Sequence, residues 1–234
     1  MQDQEDHNNL TPMSFKRKLV LFVLLLLVFI SVVLQYSNGS LRSYMYARAN
    51  SLGWLCNGKV LITGTGRSGT TFLIRLMTKL GLDTGFSGMN YAKHIDENCG
   101  SGMELPFTAP HGYLKNPTFM LDMEDILSRE TIAAVVIPVR NYTQSALSRA
   151  HHGMGKNGGL WGATDAGSQE TFYHKIVAEY IVSMVKHDIP TVFIDFDRMV
   201  VDPEYLFKKL QYVLPPNVSL DNFKQAFGDV LSRA

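Results

Sequence analysis

The chain has 234 residues, which is enough for one domain and a terminal extension. Its 22 basic and 21 acidic residues leave a formal net charge of +1, and this balance argues against a nucleic-acid-binding protein, which normally carries a basic excess. Two cysteines, Cys56 and Cys99, are too few for a disulfide scaffold and stand outside any CxxC pair, so we expect no metal site. The two thiols can form one bridge in an oxidising compartment or remain free.

A membrane-spanning helix is the first predicted element. The segment from Leu19 to Leu34 is apolar apart from Ser31, and a helix over 19–36 would be about 27 Å long at the rise of an α-helix. That length suits the thinner bilayers of the early secretory pathway. Because basic residues at 16–18 precede the segment, we expect the N-terminus to stay in the cytoplasm.

This orientation divides the chain into four parts. We predict a cytoplasmic tail at 1–18, a signal anchor at 19–36, a luminal stem at 37–57 and a luminal domain at 58–234. A glycosylation sequon that starts at Asn38 would then be luminal. The alternative is a cleaved signal peptide, because small residues follow the apolar run, although the preceding tail is long for the basic region of such a peptide.

Apolar runs and helical periodicity alternate through the domain. Strands are predicted at 60–63, 113–115, 133–139 and 191–196, and helices at 70–80, 141–151 and 172–185, with a last predicted helix that begins after Asp202. This alternation predicts an α/β domain, with a parallel sheet flanked by helices on both faces. A stretch with six glycines, 153–167, is predicted to be a loop.

A glycine-rich loop, Gly64–Gly69 (GTGRSG), connects the first strand to the first helix. In this arrangement backbone N–H groups and the positive end of the helix dipole point at an anion, and the glycines allow its close approach. The sequence is similar to a Walker A loop, but Thr70 stands where that motif has its lysine, which disfavours an ATPase or GTPase. The cation of the loop is Arg67 instead. We therefore predict a loop that holds a phosphate group.

Three motifs carry a resemblance to one family. Thr63–Leu73, TGTGRSGTTFL, resembles the 5′-phosphosulfate-binding loop of sulfotransferases that use 3′-phosphoadenosine 5′-phosphosulfate (PAPS). The family's 3′-phosphate site has an arginine at the end of a later strand and a serine on the next helix. Arg140 and Ser148 match this pattern, with seven residues between them. Tyr113–Pro117 (YLKNP) resembles the lysine-containing strand end that lies between the two motifs.

The resemblance implies a role for each matched residue. Arg67 would stabilise the bridging oxygen as it leaves, and Lys115 would neutralise sulfonyl oxygens. Arg140 and Ser148 would hold the 3′-phosphate, and Phe72 would stack on adenine. The residues that the resemblance implies in PAPS binding are Gly64, Thr65, Gly66, Arg67, Ser68, Gly69, Thr70, Thr71, Phe72, Arg140 and Ser148.

A catalytic base must also remove the proton of the acceptor. The candidates lie in the irregular stretch between the first helix and the second strand. Glu104 is favoured because it follows a glycine-flanked turn, and His94 is the next candidate. Asp96, Glu97 and His111 are the remaining ones.

The resemblance thus predicts an enzyme that transfers a sulfuryl group from PAPS to a hydroxyl or amine of a carbohydrate or protein acceptor. PAPS is the co-substrate, and the scheme requires no metal. A luminal domain fits a single-pass type II protein of the Golgi membrane, whose acceptors are glycans or proteins. Trp161, in the second glycine-rich stretch, is expected either to cover an acceptor sugar or to anchor its own loop.

Two other functions stay open. A nucleotide-dependent kinase or another P-loop transferase would use a metal-binding acid at a strand end, such as Asp195, but Thr70 argues against it. A membrane protein that keeps the fold for nucleotide binding without catalysis is the second, because the domain leaves little chain for an acceptor region.

Overall fold

The computed structural model describes residues 58–87, 91–96, 98–153 and 158–232. The predicted tail, signal anchor and stem lie outside these residues, as does Cys56, and the spanning segment at 19–36 stays a prediction. Within the described ranges, no helix is both long and apolar enough to cross a membrane.

The described chain alternates strands with helices. In chain order the elements are β1 (Lys59–Ile62), α1 (Thr70–Lys79), a 3₁₀ helix at Tyr91–His94, β2 (Tyr113–Lys115), a 3₁₀ helix at Pro117–Met120, α2 (Met123–Arg129), β3 (Ile132–Val139), α3 (Tyr142–His152), α4 (Ala166–Lys186), β4 (Thr191–Asp195), α5 (Phe196–Met199), α6 (Pro203–Leu210) and α7 (Leu220–Leu231). The four predicted strands are confirmed to within one residue at each end.

The strands form one parallel sheet, in the order β2-β1-β3-β4. Leu61 of the central strand β1 pairs with Leu114 on one side and with Val135 on the other. The predicted parallel sheet is therefore confirmed. Because all strands point the same way, the loops that follow β1, β2 and β3 leave the sheet at the same edge.

Helices cover both faces of this sheet, because its central strands are apolar on both sides. Val60 and Ile62 pack into a core shared with α1, α6 and α7, whereas Leu61 and Val135 pack into a core shared with α2 and α4. None of the four is more than 3% exposed. The predicted α/β architecture is confirmed.

The long helix α4 differs from its prediction in two respects. It begins at Ala166 rather than at 172, because Asp165 and Ser168 form a capping box in which each side chain accepts a hydrogen bond from the other residue's N–H. Ile181 and Val185, predicted on the buried face, are 44% and 71% exposed. The apolar stripe that α4 buries is narrower than the sequence pattern suggested.

Helices α2 and α7 were not predicted from the sequence. In α7 the buried residues Phe223, Ala226, Phe227 and Val230 follow helical spacing, and Ser219 accepts a capping hydrogen bond from the N–H of Asn222. Both the helical spacing and the capping serine were visible in the sequence. The prediction for β4 was one residue too long, because the Asp195 side chain caps α5 and the strand ends there.

Candidate functional site

The glycine-rich loop runs from β1 to α1 through several residues with positive φ. Gly66 and Gly69 have φ angles of 75° and 90°, and Arg67 has one of 55°. A Cβ on Gly69 would lie 2.4 Å from Met199 Cε of α5, so the loop needs glycine at this close approach. The left-handed conformation costs a non-glycine residue about 1–2 kcal/mol, so the surrounding contacts must hold Arg67 in place.

The first turn of α1 leaves N–H groups without helical acceptors. Its N-cap is Gly69, no side chain caps the turn, and Leu73 N–H donates to Gly69 O. The N–H groups at 70–72 therefore have no acceptor within the helix. Ser68 Oγ is buried beside them and has no hydrogen-bond partner among the described residues. Such a turn is suited to an anion.

Arg140 and Ser148 both contact the loop arginine. Arg67 Nε donates to Ser148 Oγ at 3.1 Å, and Arg140 Nη1 donates to the Arg67 carbonyl oxygen at 3.1 Å. Arg67 Nη1 also donates to the carbonyl oxygen of Cys99, which carries a free, buried thiol. The structure thus brings together three residues that the sequence assigned to the site.

A further cation at the loop, Arg149, was missed in the sequence. Its side chain is buried, with 8% of the residue exposed. Nη1 donates to Gly159 O, and a Cβ on Gly66 would lie only 2.0 Å from Nη2. The guanidinium carbon lies 5.3 Å from the centre of the Trp161 ring. The only signal for it in the sequence was its place next to Ser148. An arginine near a helix end is ordinarily a surface residue, so its residue type gave no indication of the site.

The charges of these arginines lack balancing carboxylates. Among the described residues, none of Arg67, Arg140 and Arg149 forms an ion pair with an aspartate or glutamate. The Nε atoms of Arg140 and Arg149 are buried without a partner there. Burial lowers the pKa of Arg149, the neighbouring Tyr173 hydroxyl raises it, and the charge of nearby Arg67 lowers it. Buried cations without counter-charges cost free energy, which a bound anion would offset.

A buried lysine ends the neighbouring strand β2. Lys115 is 1% exposed, and its Nζ donates to the Glu104 carboxylate and, at 3.0 Å, to Gly102 O. Gly102 and Met103 have φ angles of 142° and 62°, and this turn carries Glu104 to the lysine. Burial lowers the pKa of Lys115, Glu104 raises it, and the charge of Arg149 lowers it. The two predicted catalytic residues are therefore in contact, within reach of the arginine charges.

The other candidate bases have contacts of their own, although the His94 carbonyl oxygen accepts a hydrogen bond from Met103 N–H in the turn that carries Glu104. His94 is exposed, and its ring packs against Phe86 with the centroids 5.1 Å apart. His111 Nδ1 is 2.8 Å from the Asp83 carboxylate. The Asp96 carboxylate accepts a backbone hydrogen bond from two residues further along the chain. Glu104 is the candidate that the structure places against Lys115.

Phe72 and Trp161 are the two aromatic residues for which ligand contacts are predicted. Phe72 is partly buried and packs edge-to-face on Phe227 of α7, so its contact with adenine stays a prediction. The backbone N–H of Trp161 donates to Gln169 Oε1 at 2.6 Å and its ring packs edge-to-face on Phe172, so both roles expected of its side chain stay predictions. Glu97 lies outside the described residues.

An open groove of about 670 Å³ begins at Arg140, beyond the end of β3. Its lining combines the cations Arg140 and Lys209 with the carboxylates of Asp195 and Asp197, and also includes Tyr142, Phe193 and Tyr205. Its size is in the usual range for small-ligand sites. A second cavity, of about 300 Å³, lies near the far end of α1 and is lined by none of the predicted site residues.

Comparison with known proteins assigns no family to the chain. No protein-family model, curated protein or solved structure matches it. In the described ranges, no three His, Cys, Asp or Glu side chains group together as metal ligands. A function is therefore argued from the motifs and the geometry.

Proposed function

We propose that this chain is a PAPS-dependent sulfotransferase that acts on a hydroxyl or amine of a carbohydrate or protein. The observation that carries the proposal is the contact of both Arg140 and Ser148 with Arg67. Arg67 and Ser148 are 81 residues apart in the chain, so the two motifs of the resemblance meet only through folding.

The residues present fit a ligand with two separate phosphate groups. The N–H groups at 70–72 and the unpartnered Ser68 Oγ suit one anion at the loop. Arg140, whose Nε is unpartnered, suits a second anion at the end of β3, because the forked donors of arginine match a phosphate. The groove that begins at Arg140 leaves room for the rest of a nucleotide.

The proposed chemistry is an in-line displacement at sulfur, in which positioning and charge stabilisation dominate. PAPS supplies the sulfuryl group: the acceptor oxygen or nitrogen bonds to sulfur while the bond from sulfur to the bridging oxygen breaks. Arg67 stabilises the charge that develops on that oxygen. Glu104 takes the acceptor proton on its carboxylate. Its ion pair with Lys115 then weakens, which frees the lysine charge for the sulfonyl oxygens.

The proposed setting is the Golgi membrane, with the domain in the lumen. It rests on the apolar segment at 19–36 and on the basic residues before it. Luminal glycans and proteins are then the available acceptors. The Glu104 side chain is 38% exposed, so a large acceptor can reach it, whereas the Lys115 side chain is buried.

The test is calorimetric titration of the full chain, purified in detergent, with 3′-phosphoadenosine 5′-phosphate (PAP). We expect micromolar binding, weakened at least about tenfold in Arg140→Ala, because a hydrogen bond to a charged group is lost. Arg129→Ala is the control, since Arg129 pairs with Asp125 on the exposed face of α2. Transfer of labelled sulfate from PAPS to glycan and peptide acceptors completes the test.

Each alternative function has its own outcome in this experiment. A folded chain that binds magnesium-ATP more tightly than PAP would favour a kinase. A chain that binds PAP but sulfates no acceptor would favour the non-catalytic binder. Absence of PAP binding by the folded wild type would overturn the sulfotransferase proposal.

A further inference from the structure

Arg149 is buried between the glycine-rich loop and a second segment of the chain. A Cβ on Gly66 would lie 2.0 Å from its Nη2 and 3.1 Å from its Nε, so the Nε–Nη2 edge of the guanidinium faces the loop. The third nitrogen, Nη1, donates to the carbonyl oxygen of Gly159. The planar guanidinium of Arg149 therefore contacts both the glycine-rich loop and the second segment.

The second segment, residues 158–162, is here named the cover segment. A Cβ on Gly158 would lie 3.1 Å from Cys99 Sγ and 3.4 Å from Arg67 Nη1, so the segment begins against the loop arginine. At Trp161, the backbone N–H and carbonyl are held by the Gln169 side chain at 2.6 and 3.0 Å. The cover segment is therefore fixed to α4 near one end and lies beside the loop at the other.

The contacts of Arg149 leave its charge incompletely compensated. Its Nε is buried without a partner, and no described carboxylate pairs with it. Arg198 pairs with Asp202 at 3.2 Å on the surface, whereas Arg75, like Arg149, has a buried Nε without a partner among the described residues. Two parallel N–H donors on one edge form the arrangement that binds a phosphate through two oxygens.

We propose that Arg149 binds a phosphate of the nucleotide through its Nε–Nη2 edge while Nη1 keeps Gly159 O, and so couples nucleotide binding to the cover segment. This inference rests on the proposed function. The nucleotide supplies the missing counter-charge, and the guanidinium joins it to the cover segment beside Arg67. Arg149 is thus a binding residue that also positions the segment nearest the reacting groups.

Tryptophan fluorescence can follow this coupling. The chain has two tryptophans, Trp54 and Trp161, so a Trp54→Phe background leaves the cover segment as the only indole signal. In full chain purified in detergent, addition of PAP is expected to change the Trp161 emission, because Arg149 lies over that ring. Arg149→Gln is expected to abolish the change and to weaken PAP binding at least about tenfold.

Two further variants separate ligand binding from a structural role. Arg149→Lys restores the charge but not the forked edge, so PAP affinity is expected to recover part of the way. A structural role predicts no advantage of lysine over glutamine, and Arg149→Lys also carries the test if Arg149→Gln fails to fold. Arg75→Gln is the matched control. Like Arg149, Arg75 donates to a carbonyl oxygen, that of Val230, and its guanidinium lies over an aromatic ring, that of Tyr91. It should leave PAP affinity unchanged.

The outcomes distinguish this proposal from the function on which it rests. Wild-type PAP affinity in Arg149→Gln overturns the binding role of Arg149 and leaves the sulfotransferase proposal standing. PAP binding by the wild type without any change in Trp161 emission overturns the coupling. Absence of PAP binding by the wild type overturns both.

Discussion

Arg67 contributes both its backbone and its side chain to the site. Its carbonyl oxygen accepts a hydrogen bond from Arg140, while its guanidinium donates to Ser148 and Cys99. With its φ of 55°, the Arg67 backbone presents the carbonyl oxygen to Arg140 while the side chain reaches Ser148 and Cys99. A residue in this conformation carries strain that neighbouring contacts must hold, and such residues cluster at functional sites.

The Lys115–Glu104 pair gives a prediction for pH dependence. Burial lowers the pKa of Lys115 and Glu104 raises it, so Glu104→Gln is expected to lower that pKa further. Lys115 then loses its positive charge at lower pH than in the wild type. In the proposed site this charge meets the sulfonyl oxygens of PAPS, so PAPS affinity should begin to fall at lower pH. Calorimetric titration with PAPS from about pH 7 to about pH 10 measures the shift.

A second lysine–glutamate pair provides the control for this measurement. Glu130 lies 2.8 Å from Lys59 Nζ at the start of β1, at the opposite edge of the sheet. Glu130→Gln should leave the pH profile of PAPS affinity unchanged. Coincident profiles for Glu104→Gln and the wild type would show that the carboxylate does not sustain the lysine charge.

At the scale of elements, the unit of β1, loop and α1 depends on its glycines to different degrees. Gly66 and Gly81 share a φ of 75°, but their surroundings differ. A Cβ on Gly66 would meet the Arg149 side chain, whereas a Cβ on Gly81 would meet nothing within 4 Å. The pair therefore separates the cost of the backbone conformation from the cost of lost contacts.

Alanine at these two glycines should lower the free energy of unfolding unequally. Gly81→Ala is expected to lower the free energy of unfolding by about 1–2 kcal/mol, because alanine must adopt the left-handed conformation there. Gly66→Ala should lose about 1–2 kcal/mol more, because the displaced Arg149 side chain gives up its buried contacts. Urea denaturation of the full chain, followed by circular dichroism, measures both values. Equal losses would mean that Arg149 moves aside at no cost.

At the scale of the whole molecule, the order of the strands explains where the site forms. The loop with Arg67 follows β1, Lys115 ends β2 and Arg140 follows β3, and these three strands are neighbours in the sheet. In a parallel sheet, ligands bind beyond the carboxyl ends of the strands. The cations thus gather at one edge although 73 residues separate the most distant two, Arg67 and Arg140.

The proposed luminal orientation of the whole chain is testable through its sequons. Asn38 and Asn217, which is exposed in a turn, each begin an N-x-S sequon on the predicted luminal side. Two N-x-T sequons are also present: Asn141 begins one on the predicted luminal side, and Asn9 begins one in the predicted cytoplasmic tail. In full chain made in eukaryotic cells, glycosidase treatment is expected to shift the gel mobility, and Asn217→Gln should reduce that shift.

The same experiment includes the result that would reverse the orientation. Asn9→Gln should leave the glycosidase shift unchanged, because oligosaccharide is added only in the lumen. A shift that depends on Asn9 would place the N-terminus in the lumen. A chain without any glycan would contradict the luminal placement of the domain, whatever its affinity for PAP.

Short-range patterns in the sequence were sufficient for much of the fold and part of the site. The apolar run at 133–139 and the glycine-rich turn at 64–69 predicted β3 and the loop, because backbone preference and alternation of apolar residues act over a few positions. Seven residues lie between Arg140 and Ser148, and their convergence was predicted because Arg140 ends the strand and Ser148 lies about two helical turns further on.

By itself the sequence determined the α/β architecture and the cationic loop, because each rests on local periodicity and turn chemistry. Only the tertiary structure decided that Arg149 lies against Gly66, that Glu104 pairs with Lys115 and that Ile181 faces solvent. Burial and contacts between distant residues arise when elements pack, and packing overrides the exposure that local pattern predicts. Which charged side chains meet at the site could therefore not be predicted from the sequence alone.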